Sequence, residues 1–347
     1  MKLKFGKKIF DLSKNIFVIA EAGVNHNNKL SLAFKMVDKA IEAGADAIKF
    51  QTFITEEIQM KNSIKPNYQK KFTTSYFNLI KSLEMSFENQ QRIFQYCKKK
   101  GIVFLSTPYD EKSVDFLNKL DVPLFKIAST DLTNSLLLQY VCKKHKPILL
   151  STGISSFNEI DEAIEIVNEN HMKNKLILFH TTSSYPTPNE EVNLNIIPEL
   201  IKRYDVTIGF SDHTKNEVAS LGSIVFGARV LEKHFTLDRN MPGPDQNSSL
   251  EPNELKEWIK KIRLMEKSLG SPNKKITKSE SKNISMRKII VIKPASKGTK
   301  ISLEHLSAMR GKKTGILPLN SNIKKIIGKK LKINIRKISE FKWNMIE

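Results

Sequence analysis

The sequence predicts an α/β protein, a (β/α)₈ barrel followed by a small separate C-terminal domain. Three observations predict it. Short apolar, β-branched runs alternate with amphipathic helical stretches, the pattern of a parallel sheet wrapped by helices. The runs number eight, as a closed barrel requires, within a span close to the roughly 250 residues usual for that fold. Charge then shifts abruptly: residues 286–347 hold 16 Lys+Arg against 3 Asp+Glu, whereas residues 1–285 hold 41 against 33. The expected division is a barrel over 1–275, a linker over 276–285 and a small domain over 286–347.

The expected strands are FVIAEA (17–22), AIKFQ (47–51), IVFLST (102–107) and LFKIAS (124–129), then ILLST (148–152), LILFHTT (176–182), VTIGFSD (206–212) and RVLEKHF (229–235). Between them, residues 30–43 place Leu32, Phe34, Met36, Val37 and Ile41 near helical spacing. Residues 87–100, 157–169 and 251–268 read the same way. Gly44, Gly101 and Gly270 stand where helix C-caps are expected, and Asn158 and Glu251–Pro252 where helices should start. The stretch 52–86 is too long for an ordinary strand-to-helix loop and is expected to form a rim or lid.

Composition narrows the class. At 347 residues and 40% hydrophobic, the chain can bury a large core. No apolar run approaches the roughly 18 residues of a membrane span. The N-terminal segment MKLKFGKK is followed by Asp11 and Lys14 rather than a continuous apolar stretch, so a cytoplasmic protein is expected. Cys97 and Cys142 are the only cysteines, which argues against a disulfide framework or a cysteine zinc site. A net charge of +21 is compatible with anionic substrates, nucleic acid or a lysine-rich surface.

The chemistry is read from the strand ends. In order they carry Glu21; Lys49 and Gln51; Ser106 and Thr107; Lys126 and Ser129; Ser151 and Thr152; His180 and Thr181; Ser211-Asp212-His213; and His234. In a parallel barrel these ends open on one face, so residues distant in sequence converge. Lys49 and Lys126 interrupt apolar runs, where an unpaired ammonium is costly. An anion nearby would relieve that cost. With the hydroxyls of Ser129, Ser151 and Thr152, and with Gly153 allowing close backbone approach, they make a phosphate pocket. The alternative is internal pairing of one lysine with Glu21 or Asp131.

His213 and His234 end consecutive strands. Two imidazoles plus oxygen ligands suit a divalent transition metal such as Mn²⁺, with Asp212 as an outer partner. The alternative is two hydrogen-bonding histidines without metal. His26, in the loop NHNN, is either a third ligand or a loop-stabilising residue. The loops SSYPTP (183–188), bearing Tyr185, and MPGPDQ (241–246), bearing Asp245, have the turn residues of a shaped rim.

The segments AEAGVNHN (20–27), GADAIKFQTF (44–53), FLSTPYD (104–110), FKIAS (125–129) and LSTGI (150–154), with YPTP (185–188), GFSDHT (209–214), LEKHFTLD (231–238) and PGPD (242–245), together resemble the sialic acid synthase family. That family includes the N-acetylneuraminate synthases and their legionaminic and pseudaminic acid relatives. The resemblance covers nearly the whole chain. It implies a TIM barrel with a small antifreeze-like (SAF) domain, and a domain-swapped homodimer in which that domain covers the partner's barrel mouth. It implies a metal-dependent transferase, with Mn²⁺ first and Mg²⁺ or Co²⁺ as alternatives. The reaction condenses phosphoenolpyruvate with an N-acetylated mannosamine-type sugar, giving a nine-carbon acid and phosphate. N-acetylmannosamine, giving N-acetylneuraminate, is the first expectation. The alternative is 2,4-diacetamido-2,4,6-trideoxymannose, giving legionaminic acid.

By that resemblance Glu21, His213 and His234 are catalytic, the two histidines as metal ligands. Lys49, Thr107, Lys126, Ser129, Ser151, Ser183 and Ser211 bind phosphoenolpyruvate. Gln51, Asp131, Tyr185, Asp245 and Arg310 bind the sugar, Arg310 from the partner subunit. There are departures. Asp131 stands where the family often has a glutamate, Ser183 where it has an asparagine or similar residue, and Arg310 is followed by Gly311-Lys312-Lys313 rather than by proline and glycine. All three bear on the sugar or the rim. PGPD argues mildly against the pseudaminic branch.

Two readings of other classes compete. The C-terminal lysines Lys324, Lys325, Lys329, Lys330 and Lys332 could follow a nucleic acid backbone, but the sparse aromatics (Phe341, Trp343) leave no stacking platform. Alternatively, Lys49 or Lys126 could be a Schiff-base nucleophile.

Overall fold

The computed structural model describes every residue except 7, 65–73, 283–284, 311–314 and 337. The chain forms two compact units, Met1–Gly270 and Ser271–Glu347.

The first unit is the barrel. Its strands are β3 (Phe17–Gly23), β4 (Ala47–Thr52), β5 (Val103–Pro108), β6 (Phe125–Ile127), β7 (Ile148–Ser151), β8 (Leu176–Thr181), β9 (Thr207–Asp212) and β10 (Val230–His234). All eight expected strands are present. They form one parallel sheet, paired in the order β5-β4-β3-β10-β9-β8-β7-β6. The two ends, β5 and β6, pack side by side, so the barrel is nearly closed.

Because successive strand residues face opposite sides, each strand splits into two sets. Val18, Ala20, Ile48, Phe50, Phe104, Phe125, Ile127, Ile148, Leu178 and Phe210 face outward into the large core under the helices. Phe17, Ile19, Ala47, Leu105, Leu124, Leu149, Ile177, Phe179 and Val230 face inward and fill the lower barrel. Gly209 makes room for one of them, since a Cβ there would meet the Phe179 ring at 2.6 Å.

The lower end is closed by a hairpin that the sequence reading did not anticipate. Strands β1 (Lys2–Phe5) and β2 (Lys8–Asp11) pair antiparallel, and Leu3 and Leu12 join the inward cluster.

Helices α1 (Leu30–Ala43), α2 (Thr55–Ile58), α3 (Tyr76–Leu83), α4 (Phe87–Lys100), α5 (Glu111–Lys119), α6 (Ser135–Cys142), α7 (Phe157–Glu169), α8 (Ile196–Tyr204), α9 (Val218–Val225) and α10 (Pro252–Leu269) belong to this unit. Gly44 and Gly101 cap α1 and α4 in the left-handed conformation, as expected. Glu251 caps α10 through a capping box, with Pro252 at its first turn. Helix α7 starts earlier than expected. Its cap is Ser156, whose capping box with Glu159 satisfies the first-turn N–H groups, so Asn158 is already helical. In the expected rim, residues 65–73 lie outside the described residues. Leu79 and Leu83 of α3 pack on Val24 and Phe53. Cys97 and Cys142 are buried free thiols.

The second unit has strands β11 (Arg287–Val291), β12 (Leu306–Arg310) and β13 (Ser339–Glu340), antiparallel in the order β12-β11-β13. Short helices α11 (Lys278–Lys282) and α12 (Asn320–Ile326) accompany them. Ile289, Val291, Ile301, Ile326, Leu331, Ile335, Phe341 and Ile346 form its own core. Among the described residues, no helix is long and apolar enough to cross a membrane.

Candidate active site at the barrel mouth

Period-two alternation decides which polar strand ends enter the barrel. Glu21, Lys49, Thr107, Lys126, Ser151, Thr181, Ser211, Glu232 and His234 continue the inward sets. Ser106, His180, Asp212 and Lys233 continue the outward ones. Each of the eight ends therefore sends at least one polar residue inward, while Ser106, His180, Asp212 and Lys233 point away from the mouth. Ser106 Oγ lies 2.6 Å from Thr52 Oγ, and His180 Nε2 lies 2.7 Å from the Val192 carbonyl, away from the mouth.

The inward charges form one buried cluster. Glu21 is 2% exposed, Lys49 3%, Lys126 4% and Glu232 3%. Lys49 Nζ lies 2.9 Å from Glu21 Oε2 and 3.7 Å from Glu232 Oε2, and it donates to Thr107 Oγ1 at 3.0 Å. Lys126 Nζ lies 3.4 Å from Glu232 Oε1 and 5.2 Å from the centre of the Phe179 ring. Ser211 Oγ donates to Glu232 Oε1 at 3.1 Å. Internal pairing thus holds for Lys49 and Glu21. It does not hold for Asp131, which accepts from Thr130 and Asn134 instead.

Glu232 is the member that sequence reasoning missed. It sits in LEKHF, two residues before His234, and alternation alone puts both on the inward face.

The two glutamates differ. Burial pushes the Glu21 carboxyl up to about 8, even against the neighbouring Lys49 ammonium. Burial acts on Glu232 in the same direction, but Lys126 and Lys49 together overcome it and hold that carboxylate well below its ordinary range. Burial thus favours the protonated form of Glu21, the two lysines favour the ionised form of Glu232, and burial pushes the Lys126 ammonium down.

Beside the cluster the His213 and His234 rings lie 5.5 Å apart, with the Tyr185 ring 4.3 Å from His213 and 5.8 Å from His234. Burial drives the His213 imidazole down to about 4. It drives His234 well below its ordinary value, with His213 and Lys49 adding to the effect. Both rings are neutral at pH 7. His213 Nδ1 lies 2.8 Å from the Thr182 carbonyl, which can only accept, so Nδ1 carries the proton and Nε2 keeps its lone pair. His234 Nδ1 is buried with no hydrogen-bond partner among the described residues.

Two neutral imidazoles with available lone pairs fit a divalent metal. Among the described residues, no group of three or more His, Cys, Asp and Glu is placed to hold one. The histidine pair is thus the donor set that the described residues offer. Asp212 acts on the His213 ring through its charge. Its carboxylate accepts from Thr214 N and Ser220 Oγ, because the side chain faces outward. His26 Nδ1 accepts from Asn28 N within its own loop, the loop-stabilising alternative.

The remaining residues fall into four groups. Ser129 and Ser183 converge on Gly153: Gly153 N donates to Ser129 Oγ at 3.0 Å, and a Cβ at Gly153 would overlap both hydroxyls. Ser151, which is buried, ends β7 two residues before Gly153. Gln51 Nε2, Glu21 Oε1 and His234 Cε1 converge in the same way on Gly23, each within 3.7 Å of where its Cβ would stand. Asp131, Tyr185, Asp245 and Glu21 all act electrostatically on Tyr109, whose buried hydroxyl is pushed far up, first by burial. Tyr109 was not assigned a role from sequence, although it lies in the quoted FLSTPYD segment. Arg310 is exposed at the end of β12 in the second unit, and Gly311-Lys312-Lys313 lie outside the described residues.

Residues 36–274 match the model of the NeuB family. The chain is 41% identical over 303 residues to the N,N'-diacetyllegionaminic acid synthase of Campylobacter jejuni, covering 86% of this chain and 91% of that one. It is 38% identical over 343 residues to the synthase of the same name from Legionella pneumophila, covering 96% of each. Among solved structures, the N-acetylneuraminic acid synthetase of Leptospira borgpetersenii in complex with citrate superposes with a TM-score of 0.73 at 34% identity, covering 82% of this chain and 95% of that one. The chain therefore belongs to the NeuB family of sialic acid synthases and is a phosphoenolpyruvate-dependent, carbon–carbon bond-forming synthase.

Proposed function

We propose that this enzyme condenses phosphoenolpyruvate with the open-chain form of 2,4-diacetamido-2,4,6-trideoxymannose, giving legionaminic acid and phosphate. The observation that carries the catalytic reading is the buried Lys49–Lys126–Glu21–Glu232 cluster beside two neutral histidines. The choice of sugar rests on likeness: the Campylobacter and Legionella relatives are legionaminic acid synthases by name. N-acetylmannosamine, placed first from sequence, is the second reading, favoured by the name of the Leptospira structure.

In this reading Lys49 and Lys126, with Thr107, Ser129, Ser151, Ser183 and Ser211, hold the phosphate and carboxylate of phosphoenolpyruvate. Gln51, Asp131, Tyr185 and Asp245 line the sugar side. Glu21, protonated at the outset, gives its proton to the aldehyde oxygen as C3 of phosphoenolpyruvate attacks the aldehyde carbon. As a carboxylate it then takes a proton from the water that adds at C2. The tetrahedral intermediate expels phosphate, and the nine-carbon keto acid remains. A divalent metal, Mn²⁺ first, would be held by His213 and His234, and when bound it supplies Lewis-acid polarisation at the aldehyde oxygen. No lysine adduct forms, so borohydride with a keto substrate should trap nothing. The second unit is the antifreeze-like domain, carrying Arg310 to the partner's barrel mouth in a homodimer.

The test is a parallel assay. Purified protein, phosphoenolpyruvate and Mn²⁺ are offered each sugar separately, and phosphate release is followed. We expect the higher kcat/KM with the diacetamido sugar. A clear preference for N-acetylmannosamine would reverse the assignment of sugar, and phosphate release with neither would refute the condensation.

A further inference from the structure

Behind the two histidines lies a second buried polar network that the reaction does not use. Lys233 and Asp212 are each 1% exposed and face outward from adjacent strands, β10 and β9. Lys233 Nζ lies 3.0 Å from Asp212 Oδ2 and donates to the Thr214 carbonyl at 2.7 Å. Asp212 Oδ1 accepts from Thr214 N at 2.8 Å. Asp212 Oδ2 also accepts from Ser220 Oγ, which in turn accepts from Trp258 Nε1 at 2.9 Å. Ser220 lies on α9 and Trp258 on α10.

The chain order gives this network its meaning. His213 stands between Asp212 and Thr214, and both backbone groups of Thr214 are held by the pair. His234 directly follows Lys233. One ion pair therefore pins the turn that presents the first imidazole to the strand that presents the second. A buried ion pair is poor at adding stability, because desolvating both charges offsets their attraction; apolar residues of like volume often do as well. What it can supply is registry, because it is satisfied in only one arrangement.

We propose that Lys233 and Asp212, anchored through Ser220 to Trp258, are positioning residues that set the separation of His213 and His234 for a divalent cation. This inference rests on the reading of those histidines as the metal site.

The test measures Mn²⁺ binding directly, by the loss of the free-ion paramagnetic resonance signal on titration of full-length protein without substrate. Thermal unfolding of the metal-free protein is measured in parallel. The central variant is the neutral pair Lys233→Met/Asp212→Asn, which leaves no lone buried charge. It should unfold within a few degrees of wild type yet bind Mn²⁺ roughly 10- to 100-fold more weakly. Ser220→Ala, which keeps the ion pair but cuts its tie to α10, should weaken binding by less. A purely structural network would lower the unfolding temperature and leave the affinity for Mn²⁺ unchanged. Affinity within twofold of wild type in both variants overturns the inference. If instead His234→Ala binds Mn²⁺ as wild type does, the metal site itself is misassigned, and the inference falls with it.

Discussion

At the residue scale, the site holds two carboxyls that share neighbours yet are pushed in opposite directions. Glu232 sits between Lys49 and Lys126, which favour its ionised form. Glu21 has Lys49 on one side and the Glu232 charge nearby, and burial prevails. The sign of the pH dependence follows. In the proposed mechanism Glu21 starts protonated, so activity should be full below about pH 8 and fall as pH rises through that value. Glu21→Gln keeps the shape but transfers no proton. It should lower kcat by about 10²- to 10⁴-fold and remove the alkaline limb of the profile. A pH–rate series on both proteins checks this, and an unchanged limb in the glutamine variant would rule out Glu21 as its source. In the sequence, Lys49 and Lys126 were legible because charges are conspicuous inside apolar runs. Glu232 was not, because its neighbours Lys233 and His234 are also polar; only the alternation of faces separates an inward Glu232 from an outward Lys233.

At the element scale, the strands were legible because each is a short β-branched run that must be buried on both faces. The hairpin β1–β2 was not, although KLKF and KIFD flank a glycine. Its two runs carry more lysine than a buried strand would, and only Leu3 and Leu12 seal the barrel floor. The loops after the strands matter as much as the strands. Gly153 lets the hydroxyls of Ser129 and Ser183 approach one point, and a methyl group there would push both aside. Gly153→Ala should therefore weaken phosphoenolpyruvate binding at least about tenfold, equivalent to 1.4 kcal/mol, with the barrel still folded. Titration calorimetry with phosphoenolpyruvate and a circular dichroism melt separate the two effects. Affinity at the wild-type level would mean that this loop does not face the phosphate.

At the scale of the whole molecule, the charge shift near residue 286 falls inside the second compact unit, Ser271–Glu347. The structural break comes earlier, after Gly270, because the segment leading to β11 carries no buried side chain through α11. If a dimer exchanges its small units, two inactive variants should complement. Lys126→Ala and Arg310→Ala, unfolded together and refolded at equal amounts, should regain about a quarter of wild-type turnover, because half of the dimers are mixed and each holds one intact site. No recovery would place Arg310 in its own chain's site or in none. The account as a whole rests on one cationic cup formed by distant strand ends. Its most direct test is phosphate release by Lys126→Met with phosphoenolpyruvate, Mn²⁺ and the preferred sugar, alongside a melt to confirm folding. The account predicts a folded protein with turnover below about one thousandth of wild type, a loss of roughly 4 kcal/mol in transition-state stabilisation; turnover near the wild-type rate would contradict it.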